Sequence, residues 1–236
     1  MFLVDWRVNI SLAVDMRFKT LLILPLLVAS LQAASVSDLT FTLTDGSTAY
    51  SVTDCDSGAS GSLEIPSTYE GRPVTSIGYN AFYGCSELSS VTIPDSVYSI
   101  GGQAFYGCRL TSVTIGNSVT SIATRSFGSC TRLTNITIPG SVESISGSAF
   151  SYCTGLISVT FEGDAPTFGN QPFLESGYPI LIFYDSNYSG WSSTVAGRQA
   201  FQSNALNFTL NDAGTEYSVT DCLTTASGSL EIPGTY

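Results

Sequence analysis

The sequence predicts a β-rich repeat solenoid closed at its start by a β-hairpin, with short 3₁₀ or α turns in place of long helices. Three observations carry this. Four near-copies follow one another, "NAFYGCSELSSVTIPDSV", "QAFYGCRLTSVTIGNSV", "RSFGSCTRLTNITIPGSV" and "SAFSYCTGLISVTFEG", placing Phe82, Phe105, Phe127 and Phe150 in one column at steps of 23, 22 and 23. Cys85, Cys108, Cys130 and Cys153 form a second column at the same steps, and Ile93, Ile115, Ile138 and Phe161 a third. Self-similarity at such a period marks stacked units, each burying its apolar face against the next. No segment keeps a long 3.6-residue apolar period, which excludes long amphipathic helices.

The elements follow in chain order. "MRFKTLLILPLLVASLQAAS" has a basic start, an apolar run from Leu21 to Leu31 and small residues at Ala33 and Ala34. That is the pattern of an export signal, so residues 1–34 are assigned to one, with translation expected to start at Met16. The run is shorter than the roughly 20 residues a membrane span needs. Residues 35–62 contain Leu39, Phe41 and Leu43 in alternation, a "TDGST" turn, then Tyr50 and Val52. Alternation about a Gly-containing turn is a hairpin, here placed to cover the first repeat's open strand edges. Repeats occupy 63–173, the first of them stretched, with Leu63 and Ile65 in the places of Val91 and Ile93. "LSSVTIP" reads as a half-buried strand ended by Pro94, and "SVYSI" turns Val97 and Ile100 inward. Residues 174–205, with an apolar strand from Ile180 to Tyr184, form an atypical terminal cap. At Leu206 the opening unit returns without a gap as "LNFTLNDAGTEYSVTDCLTTASGSLEIPGTY". Residues 206–236 are therefore the start of a second unit, and the sequence is expected to be a fragment of a longer protein.

The columns from Leu88 to Cys108 and their counterparts resemble the BspA-type leucine-rich repeat. "FYDSNYSGWSSTVAGR" is similar to the common end of such arrays, and the likeness covers about Leu63 to Phe173. Arg109 is the departure, standing where a two-residue step is usual and shortening its repeat to 22. The resemblance implies a leucine-rich-repeat arc, a curved solenoid with a parallel sheet, displayed outside the cell and used in adhesion or ligand binding.

Residues 34–236 hold five Arg, no Lys and 17 acidic side chains, a formal charge of −12. Such a chain repels phosphate backbones and anionic membrane surfaces, which excludes nucleic acid as a partner. The whole chain has no His, removing Ser-His and Cys-His nucleophile pairs and His-bearing zinc sites. No phosphate-cradling loop or dinucleotide fingerprint occurs. An enzyme, a cofactor and a metal centre are therefore not expected. Asp54 and Asp56 are an acidic pair, but "TDCDSGAS" lacks the ligand spacing of a calcium loop and suits a polar hairpin end. The Phe column would serve either as a ligand-stacking platform or as a core spine; each Phe follows a small residue in an inward-turning segment, which favours the spine. The column cysteines would repeat about 4.8 Å apart with parallel side chains, whereas a disulfide needs opposed ones; buried free thiols are expected, with Cys55 and Cys222, at matching places in the two hairpins, facing the cores of their own units.

The outward strand positions are Ser90 and Thr92, Ser112 and Thr114, Asn135 and Thr137, Ser158 and Thr160. Stacked, they form a strip of hydroxyls and one amide able to hydrogen-bond a sugar or a protein, or to order water. Equally, they suit a solvated sheet face built from β-favouring Thr. The tail aromatics Tyr178, Tyr184, Tyr188 and Trp191 are the alternative surface. Sequons at Asn135, Asn187 and Asn207 matter where the source glycosylates. Function divides between a secreted or cell-surface protein that binds an extracellular protein or polysaccharide through its solenoid face, and a spacer that presents another domain.

Overall fold

The structure, a computed structural model, describes residues 33–177, 179–202, 206–210 and 217–222. The expected export signal thus lies outside the described residues except for its last two alanines. Two strands open the fold, β1 (Leu39–Thr44) and β2 (Ala49–Cys55), antiparallel and joined through Asp45–Ser47. The turn needs Gly46, whose φ of 66° lies in the left-handed region. The stretched first repeat supplies β3 (Gly61–Glu64), β4 (Thr68–Tyr69) and β5 (Arg72–Ile77). Its extra residues form a small hairpin of β4 with β5. That hairpin packs back onto the cap: Tyr69 stacks on Phe41 with centroids 4.0 Å apart, and the Tyr50 hydroxyl donates to Glu70 at 2.6 Å.

Each later coil then contributes one longer and one shorter strand. They are β6 (Leu88–Thr92) and β7 (Ser99–Ile100), β8 (Ser112–Thr114) and β9 (Ser121–Ile122), β10 (Asn135–Pro139) and β11 (Ser144–Ile145), β12 (Ser158–Glu162) and β13 (Thr167–Phe168). The cap region adds β14 (Leu181–Tyr184), β15 (Thr194–Val195) and β16 (Arg198–Gln202). One sheet runs β1-β2-β5-β7-β9-β11-β13, parallel from β2 onward, with β4 on the side of β5. Its register lines up Ile77, Ile100, Ile122, Ile145 and Phe168, so one inward row continues from coil to coil. The described residues thus form a β-solenoid of about six coils with parallel strands and almost no helix.

The segment "NAFYGC" and its counterparts explain that shortage of helix. The amides of Asn80, Phe82 and Gly84 donate to the carbonyls of Gly102, Ala104 and Tyr106 in the next coil, at 3.1, 2.7 and 2.9 Å. The intervening amides of Ala81, Tyr83 and Cys85 close 3₁₀-type bonds to Gly78, Asn80 and Phe82 of their own coil. An α-helix would spend every amide within the coil and leave none for the neighbour. The alternation requires left-handed residues at fixed places, and non-glycine side chains accept them at Asn80, Gln103, Arg125, Ser148 and Gln171.

Inside, Phe82, Phe105, Phe127 and Phe150 are fully buried and stack in near-parallel, with centroids 4.7, 5.2 and 5.3 Å apart; Phe173 extends the stack by 5.6 Å. The aromatic column is therefore a core spine. Past the cap, β17 (Leu206–Leu210) and β18 (Tyr217–Cys222) pair antiparallel with a bulge between Asn207 and Phe208, matching the bulge between Thr40 and Phe41 in β1. The repeat of the hairpin is thus visible in the backbone as well as in the letters.

Candidate functional site

The longer strands set out the polar strip. Alternation in β6, β8, β10 and β12 buries Val91, Val113, Ile136 and Val159, and turns the flanking residues outward. Thr92, Ser112, Thr114, Asn135 and Thr137 are exposed, while Ser90, Ser158 and Thr160 are half-buried. Register places Ser90 beside Ser112, Thr92 beside Thr114, Asn135 beside Ser158 and Thr137 beside Thr160.

The strip is longer than the eight positions read from sequence, and it is divided. Ser62 pairs in register with Ser90, their hydroxyls 2.7 Å apart, and Glu64 with Thr92. At the other end Leu181 follows Ser158, and Phe183 follows Thr160; Phe183 lies 6.2 Å from the ring of Phe201. The face thus grades from a carboxylate and hydroxyls at β3 to apolar and aromatic side chains at β14 and β16. Both extensions were readable: Ser62 and Glu64 flank Leu63, and Leu181 and Phe183 alternate with Ile182.

The division lies between β8 and β10. Strands β3-β6-β8 make one sheet and β10-β12-β14-β16-β15 another. Among the described residues no backbone hydrogen bond runs from Ser112–Ile115 to Asn135–Ile138. Val113 and Ile115 are 8% and 7% exposed, against 1% for Val91 and Ile93, so solvent comes closer to the core at this seam. Exposed residues border it on either side, Ser112 and Thr114 on β8 and Asn135 and Thr137 on β10. The seam adjoins the shortened coil in which Arg109 replaces two residues, and β8 has three residues where β6 and β10 have five.

The alternative aromatic surface in the tail is mostly packing. Tyr184 is buried and stacks on Trp191 at 4.8 Å; Trp191 also lies 4.8 Å from Phe161, and its indole N–H donates to the Gly163 carbonyl at 3.0 Å. Those two rings close the last coils of the core, as an uncovered terminal coil requires. Tyr188 is exposed, and Tyr178 lies outside the described residues. A different aromatic pair does reach solvent: Tyr83 is exposed and stacks on Tyr106 with centroids 5.4 Å apart, and the exposed Tyr79 donates its hydroxyl to Gln103 at 3.3 Å. The doubled "FYGC" was its sequence signal.

Cys55, Cys85, Cys108, Cys130 and Cys153 are unbridged and buried; the side chain of Cys222 lies outside the described part. Three column thiols donate to the carbonyl of the preceding coil's phenylalanine: Cys108 to Phe82 at 3.0 Å, Cys130 to Phe105 at 3.2 Å and Cys153 to Phe127 at 3.0 Å. Ser176 takes the next place and donates to Phe150. Burial pushes the Cys108 and Cys153 thiols up to about 12, since the interior penalises a thiolate. These are inert groups, the opposite of an activated nucleophile. Asp54 accepts from the Cys55 amide and Asp56 from the Gly58 amide, at 2.9 and 2.8 Å, so both carboxylates tie the hairpin's end. Among the described residues no cluster of His, Cys, Asp or Glu is placed to hold a metal, and no helix is long and apolar enough to cross a membrane.

Residues 59–178 match the family model of the BspA type leucine rich repeat region, in six copies. A leucine rich cell surface protein from Faecalibacterium prausnitzii is 26% identical over 67% of this chain, with a TM-score of 0.51. A leucine-rich repeat protein from Bacteroides ovatus is 28% identical over 65% of the chain, with a TM-score of 0.50. The chain covers 40% and 43% of those two proteins, so each is much longer. A leucine-rich repeat protein from Bacteroides capillosus is 35% identical, covering 54% of this chain and 96% of its own, at a TM-score of 0.49. No curated protein matches.

Proposed function

We propose that this chain, which belongs to the BspA-type leucine-rich-repeat family, is a secreted or cell-surface protein that binds an extracellular protein or polysaccharide through the outward face of its longer strands. The observation that carries the reading is the strip itself. Ser90, Thr92, Ser112 and Thr114 on one side of the seam, and Asn135, Thr137, Ser158 and Thr160 on the other, hold hydrogen-bonding groups in register within each half, on a face the core does not use. Hydroxyls and amides spaced by the strand repeat suit the polar edges of an extended ligand, and strand pairing on either side of the seam holds each half without further ordering. The export pattern near the N-terminus and the surface protein among the structural neighbours support the location. The reading is non-catalytic: the chain has no His, and the buried Cys108 and Cys153 thiols resist ionisation.

A spacer is the second reading, favoured by the return of the opening hairpin at Leu206, which is how tandem units extend a stalk. Arrays of glycans and of extracellular-matrix proteins separate the two. Replacing both Thr114 and Thr137 by Glu sets two charges on the rim of the seam while leaving the core untouched, so stability should move by no more than about 0.5–1 kcal/mol. Loss of at least 10-fold in affinity for the array hit, with an unchanged melting curve, supports the binding face. Wild-type binding by this variant overturns it, and no hit on either array favours the spacer.

A further inference from the structure

The cysteine column is irregular at its first member, and the irregularity has a chemical meaning. Cys108, Cys130 and Cys153 each meet a phenylalanine carbonyl of the coil before, at 3.0–3.2 Å. Cys85 has the hairpin cap in front of it instead, and its sulfur reaches only the carbonyls of Cys55 and Asp56, at 3.8 and 3.9 Å. The Cys55 sulfur points at that same Asp56 carbonyl, from 3.6 Å. Two thiols, one on the last residue of β2 and one in the first regular coil, therefore converge on one oxygen. They belong to different elements, and Cys55, at the end of β2, is no member of the column. The parallel alignment that forbids bridging within the column does not apply to them. Both are buried, and the ends of the chain between them are held by the pairing of β2 with β5 and of β3 with β6.

We propose that Cys55 and Cys85 form a disulfide when the protein matures in an oxidising compartment, covalently joining the hairpin cap to the solenoid, while Cys108, Cys130 and Cys153 stay reduced. The reaction is thiol–disulfide exchange with a disulfide-bearing oxidant, such as oxidised glutathione or a disulfide oxidoreductase. One cysteine thiolate attacks the oxidant's disulfide and expels a thiolate; the second cysteine, deprotonated, attacks the mixed disulfide and expels the other. The Cys55–Cys85 bond forms, the oxidant's bond is reduced to two thiols, and both protons end on those thiols. A hydrogen bond from Cys55 lowers the Cys85 thiol from its ordinary range despite its burial, which marks Cys85 as the sulfur that ionises first.

The test needs neither export nor a ligand, so it stands apart from the proposed function. Full-length protein is refolded in a buffer of reduced and oxidised glutathione, and the thiols are alkylated in denaturant. After cleavage at glutamate, mass spectrometry should find the Cys55 peptide linked to the Cys85 peptide, 2 Da lighter than the sum of the two, with Cys108, Cys130 and Cys153 alkylated. Reduction should lower the melting temperature of the N-terminal part by about 5–10 °C in wild type, and by nothing in C55S/C85S. Six alkylated cysteines after oxidative refolding, or a linkage of Cys55 or Cys85 to any other cysteine, overturns the proposal. If C55S/C85S fails to fold, the peptide map of wild type still decides.

Discussion

Replacing Phe127 by Ala should remove about 3–5 kcal/mol of stability, because the site cannot close over the loss. The ring is fully buried between Phe105 and Phe150, at 5.2 and 5.3 Å and within 6° of parallel to each. Burial of a phenylalanine contributes about 1.5–3 kcal/mol, and each of two stacked pairs about 0.5–1.5 kcal/mol more. The surrounding backbone is fastened on both sides. The Phe127 amide donates to Ala149, and its carbonyl accepts from the Cys130 amide and the Cys153 thiol. A coil held at those points cannot sink into the vacated space, so the cost falls within the range for an unfilled core cavity. The melting temperature should fall by roughly 6–20 °C, at 2–4 °C for each kcal/mol in a chain of this size. The assay is urea unfolding followed by far-ultraviolet circular dichroism and by tryptophan fluorescence. In protein prepared without residues 1–34, Trp191 is the sole tryptophan, and it sits against Phe161 in the last coils. Stability in a solenoid passes through neighbour interfaces, so the two probes should coincide in wild type and separate in F127A. An unchanged midpoint, or a lowered midpoint with coincident probes, would refute the picture of a spine that couples the coils.

Alkali should unfold the protein through its thiols. The folded state holds Cys108 and Cys153 at about 12 against an ordinary 9.0. Their neutral forms are therefore favoured by folding, and the contribution is complete below pH 9. It is lost as pH rises from 9 towards 12, by about 1.4 kcal/mol per pH unit for each thiol. Serine should be tolerated at both places, since Ser176 already fills the column and donates to Phe150; C108S/C153S should match wild type within about 1 kcal/mol at neutral pH and lose the steeper alkaline decline in chemical denaturation. An equal decline in both proteins would place the titration elsewhere. Gly163 tests coil spacing: a Cβ built there would stand 2.3 Å from the Gly140 Cα. Gly163→Ala should therefore cost about 1–3 kcal/mol, and a neutral result in thermal melting would show that these coils stand further apart.

Legibility from sequence followed dimensionality. The Phe, Cys and Ile columns are periodic, and a solenoid turns a period along the chain into a row in space; hence the spine, the inward rows and the strip could be read directly. Contacts that depend on what a row meets were not legible. The inward cysteines could be placed, but not their bonds to phenylalanine carbonyls one coil back, because the acceptor is backbone and leaves no trace in residue type. The missing residue at Arg109 was plain in the text. Its neighbourhood to an unpaired seam was not, since the letters do not say which strand of the coil shortens. Tyr184 and Trp191 looked available for binding because the repeat pattern had already decayed there. Closing an otherwise open end of the core claims both rings. The stretched first repeat shows the reverse: its surplus residues read only as added length and form a second small hairpin, with Tyr69 and Glu70 clasping the cap.

The seam between β8 and β10 gives the molecule a mechanical axis. On one flank the coils are laced without interruption through β7, β9 and β11, and the phenylalanine stack passes through the same place unbroken. On the other flank the lacing stops between Thr114 and Thr137. A body fastened along the short strands and the phenylalanine turns, and unfastened along the longer strands, bends like a book about its binding, with the polar strip as the facing pages. Its softest deformation is thus the one that changes the distance between the two halves of the strip. A ligand that grips both halves works against that bending, and one that grips a single half does not. Tension along the array, as on a tethered surface protein, would act on the same distance, so grip and load would meet at one line of the structure.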